Sequence, residues 1–173
     1  MTTQPEPWLR GPLPDVDPML APAAHALMQA AEDIPRAASA LSPAELWVSP
    51  GGAASVGFHL RHIAGSIDRL ATYARGAQLD ERQLAALRAE PEPGDPPASA
   101  ATLVGAATAA IEGVLRVLRE TDPSTLREPR RVGRASLPST VHGLLFHIAE
   151  HTQRHVGQVI TTAKIVRGLR LGD

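Results

Sequence analysis

The chain has 173 residues, with 17 basic and 18 acidic side chains and a formal net charge of −1. That length fits one domain with a real core, and so even a charge balance leaves no electrostatic footprint for nucleic acid or an anionic membrane. Cysteine is absent, which excludes disulfides, thiolate metal ligands and a nucleophilic thiol, and leaves the redox compartment open.

The segment Met1 to Pro14 is polar and Pro-rich, without the charged start and apolar core of a signal peptide. No stretch approaches the roughly 18 uninterrupted apolar residues of a membrane span, so a cytoplasmic protein is expected. Residues 1–16 read as an N-terminal extension and residues 17–169 as one bundle domain. A first helix is expected from Asp17-Pro18, where Asp caps and Pro takes the first turn, to about Leu41, with Pro35 kinking or interrupting it. Ser42-Pro43-Ala44-Glu45 has the form of a capping box opening a short turn of helix to Trp47. Ser49-Pro50-Gly51-Gly52 is a loop, and a second long helix covers about Ala53 to Arg75. Asp80 to Arg88 reads as a short capped helix, followed by the Pro-rich loop Pro91 to Pro97. Ser99 caps a third long helix reaching about Glu120. From Asp122 to Pro138 runs a polar connection that includes the short basic stretch Arg127 to Arg134, a solvated surface, and in which Val132-Gly133 allows a small hairpin. A fourth long helix runs from near Ser139 to about Arg167. Strands with period-two patterning are otherwise missing. The prediction is an all-α four-helix bundle with short extra helices in its connections, an architecture that often holds metals between facing helices. Trp8 and Trp47 read as packing anchors.

Five of the seven histidines fall in two short stretches of these helices. His59 and His62 lie on the second long helix, and His147, His151 and His155 are spaced one helical turn apart on the fourth. Side chains four apart on a helix project from nearly the same side, so two imidazoles so spaced can grip one ion. A third from a facing helix completes a three-nitrogen site with open positions. At 100° per residue, His155 falls about 20° from the centre of the fourth helix's apolar face, His151 about 60° and His147 about 100°. On the second helix His59 falls about 40° from the apolar centre and His62 about 100°. Periodicity thus favours His151 and His155 as the inner pair and leans weakly to His59 as the third ligand, since a bundle site can open toward one seam of the helix and not its apolar centre. A lone His on an apolar face is usually a hydrogen-bonded core residue. The pair beside an independent candidate changes that balance, because burying imidazoles without partners costs several kcal/mol. Arg154 and Gln158 flank His155 as candidate contacts to the ligands or substrate, or as solvated residues. His25 and His142 read as ordinary boundary residues.

Two stretches carry a resemblance. Gly57-Phe58-His59-Leu60-Arg61-His62-Ile63-Ala64-Gly65-Ser66 and His151-Thr152-Gln153-Arg154-His155-Val156-Gly157-Gln158-Val159 resemble the DinB-like superfamily of bacterial metal-binding four-helix bundles, over about Leu20 to Leu169. The resemblance implies His62, opening a His-hydrophobic-Ala motif, as first ligand, and His151 and His155 as the other two, with His59 and His147 in reserve. Val156 stands where the family often has Arg, and Ile67 with Asp68 stands where an acidic residue is common. By resemblance the ion is divalent, Zn²⁺ or Ni²⁺. The activity implied is that of a metal-dependent thiol S-transferase or hydrolase acting on a small molecule. Without Cys of its own, the chain would take its thiol from outside, as bacillithiol or mycothiol. The alternative is a non-catalytic metal-binding or stress-response bundle in which the ion ties helices together. The apolar surplus on Ala-rich helices is compatible with a homodimer.

Overall fold

The computed structural model describes residues 4–169. Among them, six α-helices and one hairpin follow in the order α1 (Ala21–Ala38), α2 (Pro43–Leu46), α3 (Val56–Ala74), α4 (Glu81–Arg88), α5 (Ala100–Glu120), β1 (Pro129–Val132), β2 (Leu137–Thr140) and α6 (Val141–Leu169). The four long helices α1, α3, α5 and α6 form the expected four-helix bundle.

Several ends are set by the predicted caps. Ser42 and Glu45 close a capping box on α2, and Asp80 and Gln83 close another on α4. Ser55 and Ser99 accept from the backbone N–H groups of Phe58 and Thr102, opening α3 and α5. Helix α1 differs from expectation. Asp17 heads a turn, its carboxylate accepting from Met19 N and its carbonyl from Leu20 N and Ala21 N, so the helix starts at Ala21 with Pro22 in the first turn. Pro35 stays inside the helix. It lies in the last turn, so it withholds one bond, to the carbonyl of Ala31, and any bend it causes is confined to the end of the helix. The connection after α5 does form a hairpin, β1 pairing antiparallel with β2, and Arg130 Nε donates to Ala74 O to fasten it to the end of α3.

α1 packs against α5 and α6, and α3 packs against the same two helices. The order around the bundle is therefore α1–α6–α3–α5. Leu27 and Ile34 of α1, Leu60 and Ile63 of α3, Ile111 and Leu118 of α5, and Leu145 and Ile148 of α6 fill the centre with virtually no exposure. By length and composition α5 is apolar enough to cross a membrane. Here its Leu103, Ala107, Ile111, Val114 and Leu118, at steps of three and four, are buried in the bundle.

Of the N-terminal extension, Met1 to Thr3 lie outside the described residues. The rest includes a 3₁₀ turn (Pro7–Leu9) packed on α1, and Arg10 pairs with Glu32 at 2.5 Å. The two tryptophans part company. Trp47 packs against the core and over Gly57, where a Cβ would stand 2.7 Å from the indole. Trp8 is 61% exposed, its Nε1 donating to Glu6, and anchors no packing.

Candidate metal centre

Because α3 and α6 are neighbours, the two histidine clusters meet across their seam. His62 Nε2 lies 2.9 Å from His151 Nε2, and His59 Nδ1 lies 3.0 Å from His155 Nδ1. The ring of His155 is centred 4.3 Å from that of His62 and 4.6 Å from that of His151. One nitrogen from each of His62, His151 and His155 lies within 4.8 Å of the other two. Nitrogens of a tetrahedral site with metal–nitrogen bonds of 2.0–2.1 Å stand roughly 3.3–3.4 Å apart, so small ring movements would close the three on one ion. Among the described residues no other group of this kind occurs.

The remaining predicted residues fall around this group. His59 is 5% exposed and sits deeper, beside His155. His147 turns away to Glu150, its Nδ1 2.5 Å from Oε1. Arg154 reaches His151, Nη2 donating to Nδ1 at 3.2 Å, and its Nε pairs with Glu150 at 2.9 Å. Gln158 is exposed, with no hydrogen bond to the histidines. His25 and His142 are half-buried and stand apart from the cluster.

The sequence profile of the DinB superfamily matches residues 26–159, well over half of the chain and all five of these histidines. The chain belongs to the DinB superfamily. A solved structure, described as "YfiT from Bacillus subtilis is a probable metal-dependent hydrolase with an unusual four-helix bundle topology", matches 94% of this chain and 93% of its own with a TM-score of 0.64. Identity is 13%, so the likeness is one of fold. No curated protein matches the chain in sequence.

In this DinB-superfamily bundle a carboxylate stands behind the histidines, from a place the sequence did not indicate. Glu90 follows the end of α4 and is 3% exposed. Its Oε2 lies 2.7 Å from His62 Nδ1 and its Oε1 2.7 Å from Arg69 Nη1. Burial raises the Glu90 pKa, but the hydrogen bonds from His62 and Arg69 outweigh it and hold the carboxyl below its usual range. No helical spacing connects Glu90 to the histidines. The one hint is Gly65, a glycine in mid-helix where Ala would be favoured by about 1 kcal/mol. Such a residue marks close approach of another group, and a Cβ on Gly65 would lie 2.6 Å from both Glu90 Oε1 and Arg69 Nη1.

The electrostatics suit a cation that competes with protons. Burial, and then the neighbouring His62, push the His155 pKa down to about 3. Burial and the same neighbour push His151 down to about 4, and His59 is lowered for the same two reasons. His151 and His155 are therefore neutral at physiological pH, with lone pairs free for coordination. Phe58 stacks on His62 at a centroid distance of 5.4 Å, giving the centre an apolar wall. Three imidazoles so placed could hold a divalent ion and leave positions open for small molecules.

Proposed function

We propose that this chain is a divalent-metal-dependent enzyme in which His62, His151 and His155 hold Zn²⁺ or Ni²⁺ and a small molecule reacts with water or an external low-molecular-weight thiol. The convergence of those three ring nitrogens on the α3–α6 seam carries the reading. When bound, the ion supplies Lewis-acid polarisation and lowers the pKa of a water or thiol so that it is a nucleophile near neutral pH. The chain's own residues do the rest. Three uncharged ligands leave the ion's full positive charge at the site, which favours anionic nucleophiles over neutral ones. Arg154, on the rim beside His151 and Glu150, is placed to meet an anionic part of the substrate. Phe58 offers a flat surface against His62 for an apolar part. The description of the YfiT fold relative as a probable metal-dependent hydrolase fits water as the first nucleophile to test. The absence of Cys requires any thiol to come from solution.

Elemental analysis of the purified protein, followed by titration of the cobalt-loaded form with low-molecular-weight thiols across pH, tests the proposal. A stoichiometric divalent ion lost in His151→Ala is expected. A sulfur-to-metal charge-transfer band that strengthens with pH would assign the thiol reaction. A loaded site without that band, together with ester or amide hydrolysis, would assign the water reaction. A protein that takes up no divalent ion would refute both.

A second reading is a bundle whose ion serves to tie helices together, and the bridging of α3 and α6 by the three imidazoles favours it to that extent. Full occupancy with neither thiol binding nor hydrolysis would select it.

A further inference from the structure

The side of His62 that faces away from the histidine group is as specifically built as the side that faces it. Glu90 Oε2 lies 2.7 Å from His62 Nδ1. An ionised carboxylate only accepts hydrogen bonds, so a proton sits on Nδ1, and in the neutral ring that coordination requires, Nε2, 2.9 Å from His151 Nε2, turns its lone pair toward the group. Glu90 is not on a helix that could hold it there, since it follows Ala89, the residue that ends α4. Two arginines of α3 take over that task. Arg69, 8% exposed, grips Oε1. Arg61 clamps the turn itself, Nη1 donating to Ala89 O at 3.0 Å and to the carbonyl of Glu92, and Nη2 to Pro93 O at 3.1 Å. The guanidinium of Arg61 is in turn seated 4.9 Å from the centre of the Trp47 ring. Gly65 completes the arrangement by leaving the space that Glu90 and Arg69 fill. His62, Gly65 and Arg69 follow at steps of three and four, so ligand, gap and counter-ion lie along one stripe of α3.

We propose that Glu90 is the positioning residue of the metal centre. It selects the nitrogen that His62 offers and fixes the ring's direction, and the α3 stripe with the Arg61 clamp seats it. The proposal rests on the metal reading above for the presence of the ion, but the hydrogen bond and the tautomer it dictates exist in the metal-free protein.

The test compares wild type with Glu90→Ala, Glu90→Gln and Gly65→Ala. The His62 tautomer is read in the metal-free protein by long-range ¹H–¹⁵N correlation, and zinc affinity by competition with a chromogenic chelator. Far-UV circular dichroism identifies the variants that fold. Wild-type His62 is expected as the Nδ1–H form. Glu90→Ala and Gly65→Ala should lose that single form and bind zinc 10- to 100-fold more weakly, the usual effect of removing a partner behind a metal-bound imidazole. Glu90→Gln retains an acceptor oxygen and should recover both the tautomer and most of the affinity. Should Glu90→Ala fail to fold, Gly65→Ala and Glu90→Gln carry the comparison. The proposal is overturned if wild-type His62 is the Nε2–H form, or if folded Glu90→Ala or Gly65→Ala binds zinc as wild type does. Failure of the metal reading looks different, since wild-type protein would then bind no divalent ion at all.

Discussion

Acidifying the metal-free protein from pH 7 to pH 5 should destabilise it through His151 and His155. In the unfolded chain both imidazoles have an ordinary pKa near 6.5, so at pH 5 each is roughly 97% protonated. In the folded protein His151 titrates at about 4 and His155 at about 3. Folding at pH 5 therefore expels close to two protons, and stability rises with pH wherever the unfolded state binds more protons. The contribution is complete above the unfolded pKa near 6.5 and is lost as pH falls below it, levelling off only once pH has passed the folded values. Integrated between pH 7 and pH 5, each group contributes about 1.9 kcal/mol if the shifts are taken at face value. The rings are half-buried and coupled, so solvent screening reduces the pair's total from almost 4 to about 2 kcal/mol. The lowered pKa of Glu90 acts below its ordinary range near 4.5, outside this window, which leaves the histidines to set the slope. Urea unfolding followed by far-UV circular dichroism at pH 5, 6 and 7 measures the effect, with a His151→Gln/His155→Gln double variant as control. The double variant should lose much of the pH dependence, the remainder coming from His59, whose pKa burial also lowers. Equal midpoints at pH 5 and pH 7 in wild type, or an unchanged slope in the double variant, would refute the argument.

A saturating divalent ion should raise the melting temperature, since binding to the native state at 100 times Kd adds about 2.7 kcal/mol. His155→Ala should abolish the shift and His25→Ala should retain it, as differential scanning fluorimetry with zinc and a chelator would register. At the N-terminal end of α3, Gly57→Ala would bring a methyl group to 2.7 Å from the Trp47 indole. It should cost about 1–3 kcal/mol as an overpacking change, measured by chemical denaturation, and weaken the seat of Arg61.

The helices were legible in the sequence because their signals are local. Ser42-Pro43-Ala44-Glu45, Asp80 and Ser99 act within one turn of themselves, and the structure uses each of them as a cap. The early start assigned to α1 misread Asp17, whose side chain serves a turn as readily as a helix cap. The histidine pair of α6 was visible from its four-residue spacing. The partner on α3 was harder, because periodicity points to the apolar centre and so to His59. His59 does lie deepest, against His155, but the nitrogen that faces His151 belongs to His62, which the seam between two helices reaches and the centre does not. Glu90 was beyond reach. It comes from a turn after α4, and only the fold brings it to α3, where the contacts of Arg61 and Arg69 do not reveal from the α3 sequence which residue they hold.

The order of helices around the bundle has a consequence for how the molecule comes into being. His62 and His151 are separated by 89 positions along the chain, and α5 intervenes between their helices in sequence. During synthesis, the portion ending with α5 carries His62 and Glu90 but neither imidazole of the pair. Such a nascent fragment offers an ion one nitrogen of the three, too few to compete with solvent or with cellular chelators. Only when α6 has emerged and slotted between α1 and α3 do all three nitrogens stand together, so under the proposed metal reading capture of an ion would mark completed assembly. A protein whose last helix is lost to proteolysis would lose two of the three clustered imidazoles together with the packing that closes the bundle.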